Sequence, residues 1–313
     1  RGVFRSIPSG SGGSRSWRLK NKIRAPGPGD RVQVKNKMGK TSQSVGGTTG
    51  IRPCLAAMSL LIGLAIATGA FAAGYEAIEI VPTRPDVTVR LLVIKANGKP
   101  STALLLFPGA DGTKHFGEKD GRFWVSSNFL MRSAKDLAAA GYIVVAVDAP
   151  SDQSCGMPDR FRTSPSHAKD IRKVIAYLKE KHRVSSVYLV GTSKGSLSAA
   201  FLASDFSEPA IGGVILTSVY PPSESGGIDF TDIDDAVLII HHLYDECRAT
   251  PIQGAFDLKK SLTESPQVDI VVVTGGSLAA SSPCNALSNH GFYGMEKPVI
   301  QVMKDWISGR AVP

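Results

Sequence analysis

Cysteine and aromatic residues are scarce in this chain of 313 residues, which has four cysteines and 7% aromatic side chains. No C-x-x-C pair and no regular Cys/His spacing occurs, so the sequence offers none of the common structural zinc sites. No internal repeat is visible, which excludes a solenoid or a propeller. With apolar and charged fractions of 42% and 20%, a chain of this length can bury a full-sized core.

Acidic residues are almost missing from the first 53 positions, where Asp30 is the only one beside 12 of the 36 Lys and Arg residues. That segment carries a formal charge of +11, whereas residues 54–313 combine 24 basic with 26 acidic residues and carry −2. The basic character of the chain is therefore confined to its start. We expect no nucleic-acid binding by the rest.

Residues 1–37 are rich in Gly, Ser, Pro and Arg and have no apolar periodicity, which is typical of a disordered basic segment. Met38 stands just before a basic and then a hydrophobic stretch. We therefore interpret the preceding segment as an upstream translation artefact in preference to a nucleic-acid-binding arm.

A long uncharged run occupies residues 54–73, follows Lys40 and Arg52, and closes on Ala70-Phe71-Ala72. This arrangement is typical of a signal peptide with an A-x-A cleavage site. We predict a signal-peptide region at residues 38–72, an exported protein that is periplasmic or secreted, and no stable membrane insertion after cleavage. The alternative is an uncleaved membrane anchor at residues 54–73. Residues 73–313 would form the functional domain.

From Glu79 onward, strand and helix patterns alternate, which predicts an α/β fold with a mostly parallel central sheet and helices on both faces. The predicted strands are residues 87–94 and 102–107 as an opening pair, then 142–147, 187–191, 211–217, 236–240 and 268–273. The predicted helices are residues 128–140, 166–181, a segment after 193, a segment from Pro251, and 296–307.

The pentapeptide Gly191-Thr192-Ser193-Lys194-Gly195 joins an apolar strand pattern to a small-residue helical one, the arrangement of a nucleophile elbow. Its glycines would relieve crowding around a serine on a tight strand-to-helix turn. Ser193 is the candidate nucleophile. The backbone N–H of Lys194, at the helix start, is a candidate oxyanion donor.

A nucleophilic serine needs a base and an acid. Asp245 follows the predicted strand 236–240, and His290 lies between the last predicted strand and helix. Glu246 and Asp148 are the alternative acids, although Asp148 is better explained as the cap of a turn. A metal site formed by the histidines at 241 and 242 with Asp245 is the less favoured interpretation.

The other three histidines are assigned to loop or helix surfaces and given no role: His115, His167 and His182. The turn after the predicted strand 102–107 contains Pro108-Gly109-Ala110-Asp111-Gly112. Glycines there would let the backbone approach a substrate, so we select the N–H of Ala110 as the second oxyanion donor, with Asp111 as the alternative. A plain Pro-Gly turn explains these residues nearly as well.

The G-T-S-K-G pentapeptide, the Phe107-Pro108-Gly109 turn and the ordered acid and histidine together resemble the α/β-hydrolase superfamily, and within it small exported bacterial hydrolases. The resemblance covers roughly residues 87–310. It implies a Ser193–His290–Asp245 triad, an acyl-enzyme intermediate, small-molecule ester substrates and no cofactor. A peptidase or acyltransferase with the same triad, or a non-catalytic binding protein, remain as alternatives. The absence of a full H-G-G-G motif departs from the family pattern and leaves the second oxyanion donor open.

Two features bear on access to the site. Residues 218–235 are polar, broken by prolines and glycines, and without amphipathic period, so we expect no cap domain. In the loop of residues 114–127, Phe123 and Trp124 either wall an acyl pocket or pack on the sheet.

Three cysteines remain after the signal region. Cys247 and Cys284 fall in the loops that carry the proposed acid and base, so in an oxidising compartment we expect them to form a disulfide, with free thiols as the alternative. Cys155 is left without a partner.

Overall fold

A mixed eight-stranded sheet organises this computed structural model, which describes residues 74–206 and 211–313. Its strands are β1 (Tyr75–Arg84), β2 (Val87–Lys95), β3 (Thr102–Phe107), β4 (Ile143–Val147), β5 (Ser186–Thr192), β6 (Ile211–Thr217), β7 (Val237–His242) and β8 (Val268–Val273). They lie in the order β1-β2-β4-β3-β5-β6-β7-β8. Strand β2 is antiparallel to both of its neighbours, β1 and β4. The remaining neighbours in the sheet, β4-β3-β5-β6-β7-β8, are all parallel to one another. The predicted, mostly parallel sheet is confirmed.

Helices cover both faces of this sheet. They are α1 (Phe129–Ala139), α2 (Asp159–Arg162), α3 (Pro165–His182), α4 (Lys194–Asp205), α5 (Ile252–Ser261) and α6 (Glu296–Ile307). Because side chains alternate along a strand, β3 sends Ala103 and Leu105 into the core formed with α3, α4 and α5. Leu104 and Leu106 enter the opposite core, which contains α1 and α6. The central strands are therefore apolar on both faces, as buried parallel strands require.

The boundaries of the helices follow from local hydrogen bonding. Helix α1 begins after Asn128, whose side chain accepts a hydrogen bond from the N–H of Leu130 at 3.0 Å. Helix α3 begins after Ser164, which accepts from the N–H of His167, and has Pro165 in its first turn. The predicted helices 128–140 and 166–181 thus end within two residues of the observed ones.

Strand β1, at Tyr75–Arg84, was not predicted, because the first predicted strand began at residue 87. It is an edge strand with many polar residues, so its sequence lacks the apolar run of the inner strands. At its end, Arg84 donates from Nε and Nη2 to the two carboxylate oxygens of the fully buried Asp170 in α3, at 2.8 and 2.9 Å.

The expected pairing of the strands at 87–94 and 102–107 is wrong, because β4 lies between them.

The connections around the sheet agree with the absence of a cap. Between β6 and β7 the chain forms two short 3₁₀ turns, Pro222–Glu224 and Phe230–Asp232. This connection contains no helix longer than these turns. Residues 114–127 contain a two-stranded hairpin of Phe116–Lys119 and Arg122–Val125. The prediction of an α/β fold without a cap domain is confirmed.

The predicted disordered segment 1–37 and signal-peptide region 38–72 lie outside the described residues. Within the described ranges, no helix is both long enough and apolar enough to cross a membrane.

Candidate active site

Ser193 occupies the sharp turn between β5 and α4. Its backbone is left-handed, with φ of 53° and ψ of −127°, and its N–H donates to the carbonyl of Thr217 in β6 at 3.0 Å. A Cβ at position 195 would collide with the carbonyl oxygen of Phe107, and one at position 191 with that of Gly195. Only glycine at these two positions lets α4 start this close to β3 and β5. The turn predicted from the pentapeptide is therefore present, with the strained serine typical of functional sites.

The turn opens onto a pocket of about 340 Å³ at the carboxyl ends of the strands. The pocket brings together three of the predicted site residues: Ser193, His290 and Ala110. Phe129, which packs against Phe292 with ring centroids 4.9 Å apart, contributes an apolar wall. Neither Phe123 nor Trp124 lines this pocket, so the suggestion that they wall it is wrong.

Asp245 and His290, the predicted acid and base, lie within hydrogen-bonding distance of each other. Nδ1 of His290 lies 2.9 Å from Oδ2 of Asp245, whose side chain is fully buried. Because a carboxylate only accepts hydrogen bonds, Nδ1 is the donor in this contact, and in the neutral imidazole Nε2 is then the nitrogen without a proton. His290 and Ser193 line one pocket, but among the described residues no hydrogen bond joins the two side chains. Such contacts commonly tighten only when substrate is bound.

The Asp245 carboxylate is surrounded by donors. Oδ1 accepts from the N–H of Cys247 at 2.9 Å, and Oδ2 accepts from the hydroxyl of Thr250 at 3.1 Å. Nε2 of His241 lies 3.5 Å from Oδ2. Burial raises the pKa of Asp245, but the hydrogen bonds from His241 and His290 outweigh it and hold that pKa well below its ordinary value. The carboxylate is thus ionised at neutral pH and able to stabilise an imidazolium.

The alternative acids do not reach His290. Asp148 accepts from the N–H groups of Ala149 and Lys114, as the turn-cap interpretation predicts. Glu246 is exposed and does not line the pocket. Within residues 74–206 and 211–313, no group of three or more His, Cys, Asp and Glu side chains is placed to hold a metal ion.

Several supporting residues were not anticipated. Thr250 is buried, and its hydroxyl lies 3.0 Å from Nδ1 of His290 while it donates to Asp245. The hydroxyl of Ser218 donates to the carbonyl of His290 at 2.7 Å. Arg132 of α1 donates to the carbonyls of Ser127 and Gly291, two residues that line the pocket. No local sequence pattern marks these residues, because their contacts with His290 and Gly291 join segments that are 40 to 159 residues apart in the chain.

The two predicted oxyanion donors flank Ser193. Lys194 is the first residue of α4, so its N–H has no acceptor within the helix. Ala110 has a left-handed backbone, with φ of 50°, and lines the pocket. A Cβ on the preceding Gly109 would lie 2.9 Å from Cβ of Ser193, so this loop runs directly beside the nucleophile. Asp111 does not line the pocket, which favours Ala110 over that alternative.

The expectation that three histidines lie on the surface is wrong. His115, His167 and His182 are 9%, 1% and 8% exposed. His115 lines the pocket, with Nε2 3.2 Å from the carbonyl of Gly109 and Nδ1 2.8 Å from the hydroxyl of Ser126. Burial lowers its pKa. Its position in a polar stretch of the sequence gave no sign that the side chain is buried against the Gly109 carbonyl.

A disulfide joins Cys247 to Cys284, with a Cα–Cα distance of 4.5 Å, and the prediction of this bridge is confirmed. Cys247 is buried beside Asp245, whereas Cys284 is exposed and lines the pocket. The bridge therefore fastens the segment that carries the acid to the segment that leads to His290. Cys155 is a free, exposed thiol.

Solved structures resemble this arrangement of strands and helices over most of the chain. A serine hydrolase without a lid from Xanthomonas campestris is 16% identical, with a TM-score of 0.53 over 78% of this chain and 100% of its own. An alpha-beta serine hydrolase homologue from Coxiella burnetii is 17% identical, with a TM-score of 0.53 over 75% and 97%. The chain has the α/β-hydrolase fold.

Other structures with the α/β-hydrolase fold agree with this result. A dienelactone hydrolase from Anabaena variabilis is 14% identical, with a TM-score of 0.53 over 76% of this chain and 99% of its own. No protein-family model matches the sequence, and no curated protein is similar to it. At these identities the likeness extends to the fold, and the chemistry must be argued from the site.

The disulfide generates a first prediction. Replacing Cys247 and Cys284 together with serine should lower the free energy of unfolding by about 3 to 4 kcal/mol at most, because the bridge closes a loop with a sequence separation of 37. Urea unfolding under non-reducing conditions measures the change. Cys155→Ser, which removes the free thiol, is the matched control and should leave the midpoint unchanged. An unchanged midpoint in the double variant would show that the bridge contributes nothing.

Proposed function

We propose that this protein is a serine hydrolase that cleaves small acyl esters, with Ser193 as nucleophile, His290 as base and Asp245 as its orienting acid. The observation that carries the proposal is the placement of Ser193, on a strained turn, in one pocket with a histidine that is hydrogen-bonded at 2.9 Å to a buried carboxylate. A nucleophile, a base and a third group that orients the base are the parts that acyl transfer requires. The likeness in fold to serine hydrolases is consistent with it.

In the proposed reaction, Nε2 of His290 removes the hydroxyl proton of Ser193 as the oxygen attacks the ester carbonyl. The N–H groups of Lys194 and Ala110 bind the oxyanion of the tetrahedral intermediate. His290 then protonates the departing alcohol, and Asp245 stabilises the imidazolium until that transfer. A water molecule, deprotonated by the same histidine, releases the acid and regenerates Ser193. These steps need no cofactor.

The pocket supports a small substrate. Its volume of about 340 Å³ lies at the low end of the range for small-molecule sites. No helix covers it from the β6–β7 connection, where many lipases carry a lid. The apolar wall at Phe129 suits an acyl chain, and the side of the pocket at Asn285 and Ser281 is polar. We therefore propose short acyl esters as substrates.

We further propose that the domain formed by residues 73–313 is exported and that residues 38–72 direct its export. The disulfide supports this proposal, because such bridges persist mainly in oxidising compartments. A small-molecule partner is sufficient for the chemistry, and neither a nucleic acid nor the membrane takes part in it.

Ser193→Ala should lower ester turnover by about three to six powers of ten while the protein stays folded, because only the attacking oxygen is lost. A fluorophosphonate probe should label the unaltered protein once and the variant not at all. Ser204→Ala, which changes another hydroxyl near the end of α4, is the control and should retain labelling. Near-normal hydrolysis by folded Ser193→Ala would remove the triad from the proposal.

Soluble acetyl and butyryl esters should give higher kcat/KM than long-chain esters, with no rise in rate when an emulsion forms, because no lid has to open. Matched amides in the same series should be cleaved far more slowly. Preference for long-chain emulsions would contradict the open, small pocket, and preference for amides would favour a peptidase on the same triad.

Expression of residues 38–313 in a bacterial host should yield a soluble periplasmic protein whose first residue is Ala73, because cleavage is expected after Ala72. Amino-terminal sequencing and cell fractionation measure this. Recovery of an uncleaved chain in the membrane fraction would instead support an anchor at residues 54–73.

A further inference from the structure

The loop that carries Ala110 is held through its carbonyl groups. The Gly109 carbonyl accepts from Nε2 of His115 at 3.2 Å and from the N–H of Gly112 at 3.1 Å. The next carbonyl, that of Ala110, accepts from Nη2 of Arg162 at 2.9 Å. In a trans peptide the C=O and the following N–H point in opposite directions. The hydrogen bonds to the Gly109 carbonyl therefore set the direction of the Ala110 N–H. The hydrogen bond from Arg162 to the Ala110 carbonyl fixes the peptide group on the other side of the same residue.

Ala110 needs both contacts because its backbone is left-handed, a conformation that residues other than glycine rarely adopt. Such a conformation persists only where the surroundings impose it. His115, at the start of the hairpin, and Arg162, in the last turn of α2, impose it from two different segments.

Arg162 is an unusual residue for this task. It is 0% exposed, Nη1 lies 3.3 Å from the hydroxyl of Ser198, and Nε has no hydrogen-bond partner. No carboxylate of the described residues forms an ion pair with it; Asp159 and Asp111 act on it only as more distant charges. Burial lowers its pKa to about 10, so the guanidinium remains charged at neutral pH. Burying a cation without a paired anion destabilises a fold. A benefit elsewhere is needed to explain it.

We propose that Arg162 is a positioning residue of the oxyanion hole, which fixes the Ala110 carbonyl and places a positive charge behind the Ala110 N–H. The inference rests on the proposed hydrolysis, in which negative charge develops on the oxygen that this N–H binds. A fixed charge on a buried side chain such as Arg162 stabilises that developing charge without having to reorganise. The neutral ester would gain little from it, so the effect is confined to the transition state.

The test compares Arg162→Met, which removes the charge and the donors at similar volume, with Arg162→Gln, which keeps a neutral donor, and Arg162→Lys, which keeps the charge. We expect kcat for a short ester to fall about ten- to a hundredfold in Arg162→Met, with KM within about twofold of the unaltered protein. Arg162→Gln should lie between Met and Lys, and Lys should recover most of the loss. Affinity for a boronic acid, which forms a tetrahedral anion on Ser193, should fall by the same factor as kcat.

Thermal unfolding provides the readout that separates positioning from a purely structural role. A buried cation without a paired anion costs free energy, and an apolar side chain of similar volume removes that cost, so the Tm of Arg162→Met should not fall in step with kcat. Arg172→Met, on the exposed side of α3, is the control and should keep both kcat and boronate affinity.

Each outcome decides the inference. Unchanged kcat and boronate affinity in folded Arg162→Met, or parallel losses in kcat, Tm and ground-state binding, would overturn it. If the Met variant does not fold, unchanged kcat in Arg162→Gln overturns it equally. Failure of the unaltered protein to hydrolyse esters or to react with the fluorophosphonate would instead reject the proposed function.

Discussion

The close approach of α4 to the ends of β3 and β5 is the constraint on which the site depends. At Gly195 there is no room for a Cβ against the carbonyl of Phe107, so the helix can begin there only because the side chain is absent. Ser193, at this close approach, has a left-handed backbone. A hydrogen bond from its N–H to the carbonyl of Thr217 stabilises that conformation. Ser193, Lys194 and Gly109 thus lie together because β3, β5 and β6 end at the same level of the sheet.

The other half of the site is built by hydrogen bonds instead of by crowding. Asp245 lies after β7 and His290 after β8, on segments with little regular structure. Backbone, hydroxyl and imidazole donors all converge on the Asp245 carboxylate, and Ser218 and Arg132 secure the segment around His290 from two other elements. Contacts from several sides fix the ring orientation of His290, which the proposed proton transfer to and from Ser193 requires.

The inner strands and long helices could be predicted from the sequence, because apolar runs and 3.6-residue periods are local signals. The same holds for the elbow, whose glycines and serine are adjacent, and for the order of Asp245 and His290 relative to the predicted strands. Strand β1 escaped because an edge strand needs no apolar run. The burial and contacts of the histidine at 115, Arg162 and Thr250 were not predicted. Their hydrogen-bond partners lie 6, 52 and 40 residues away in the chain. A charged or polar residue outside an apolar pattern is interpreted as exposed when its hydrogen-bond partner is unknown. Burial of such a residue therefore cannot be inferred from periodicity.

The disulfide has a practical consequence for how the protein is produced. It joins the segment that contains Asp245 to the segment that leads to His290, and Cys284 lines the pocket. A preparation folded in a reducing cytosol would contain chains in which these segments are joined only by non-covalent contacts. The specific activity of a recombinant sample would then depend on the fraction of chains that contain the disulfide as well as on the substrate. A count of free thiols in each batch would measure that fraction.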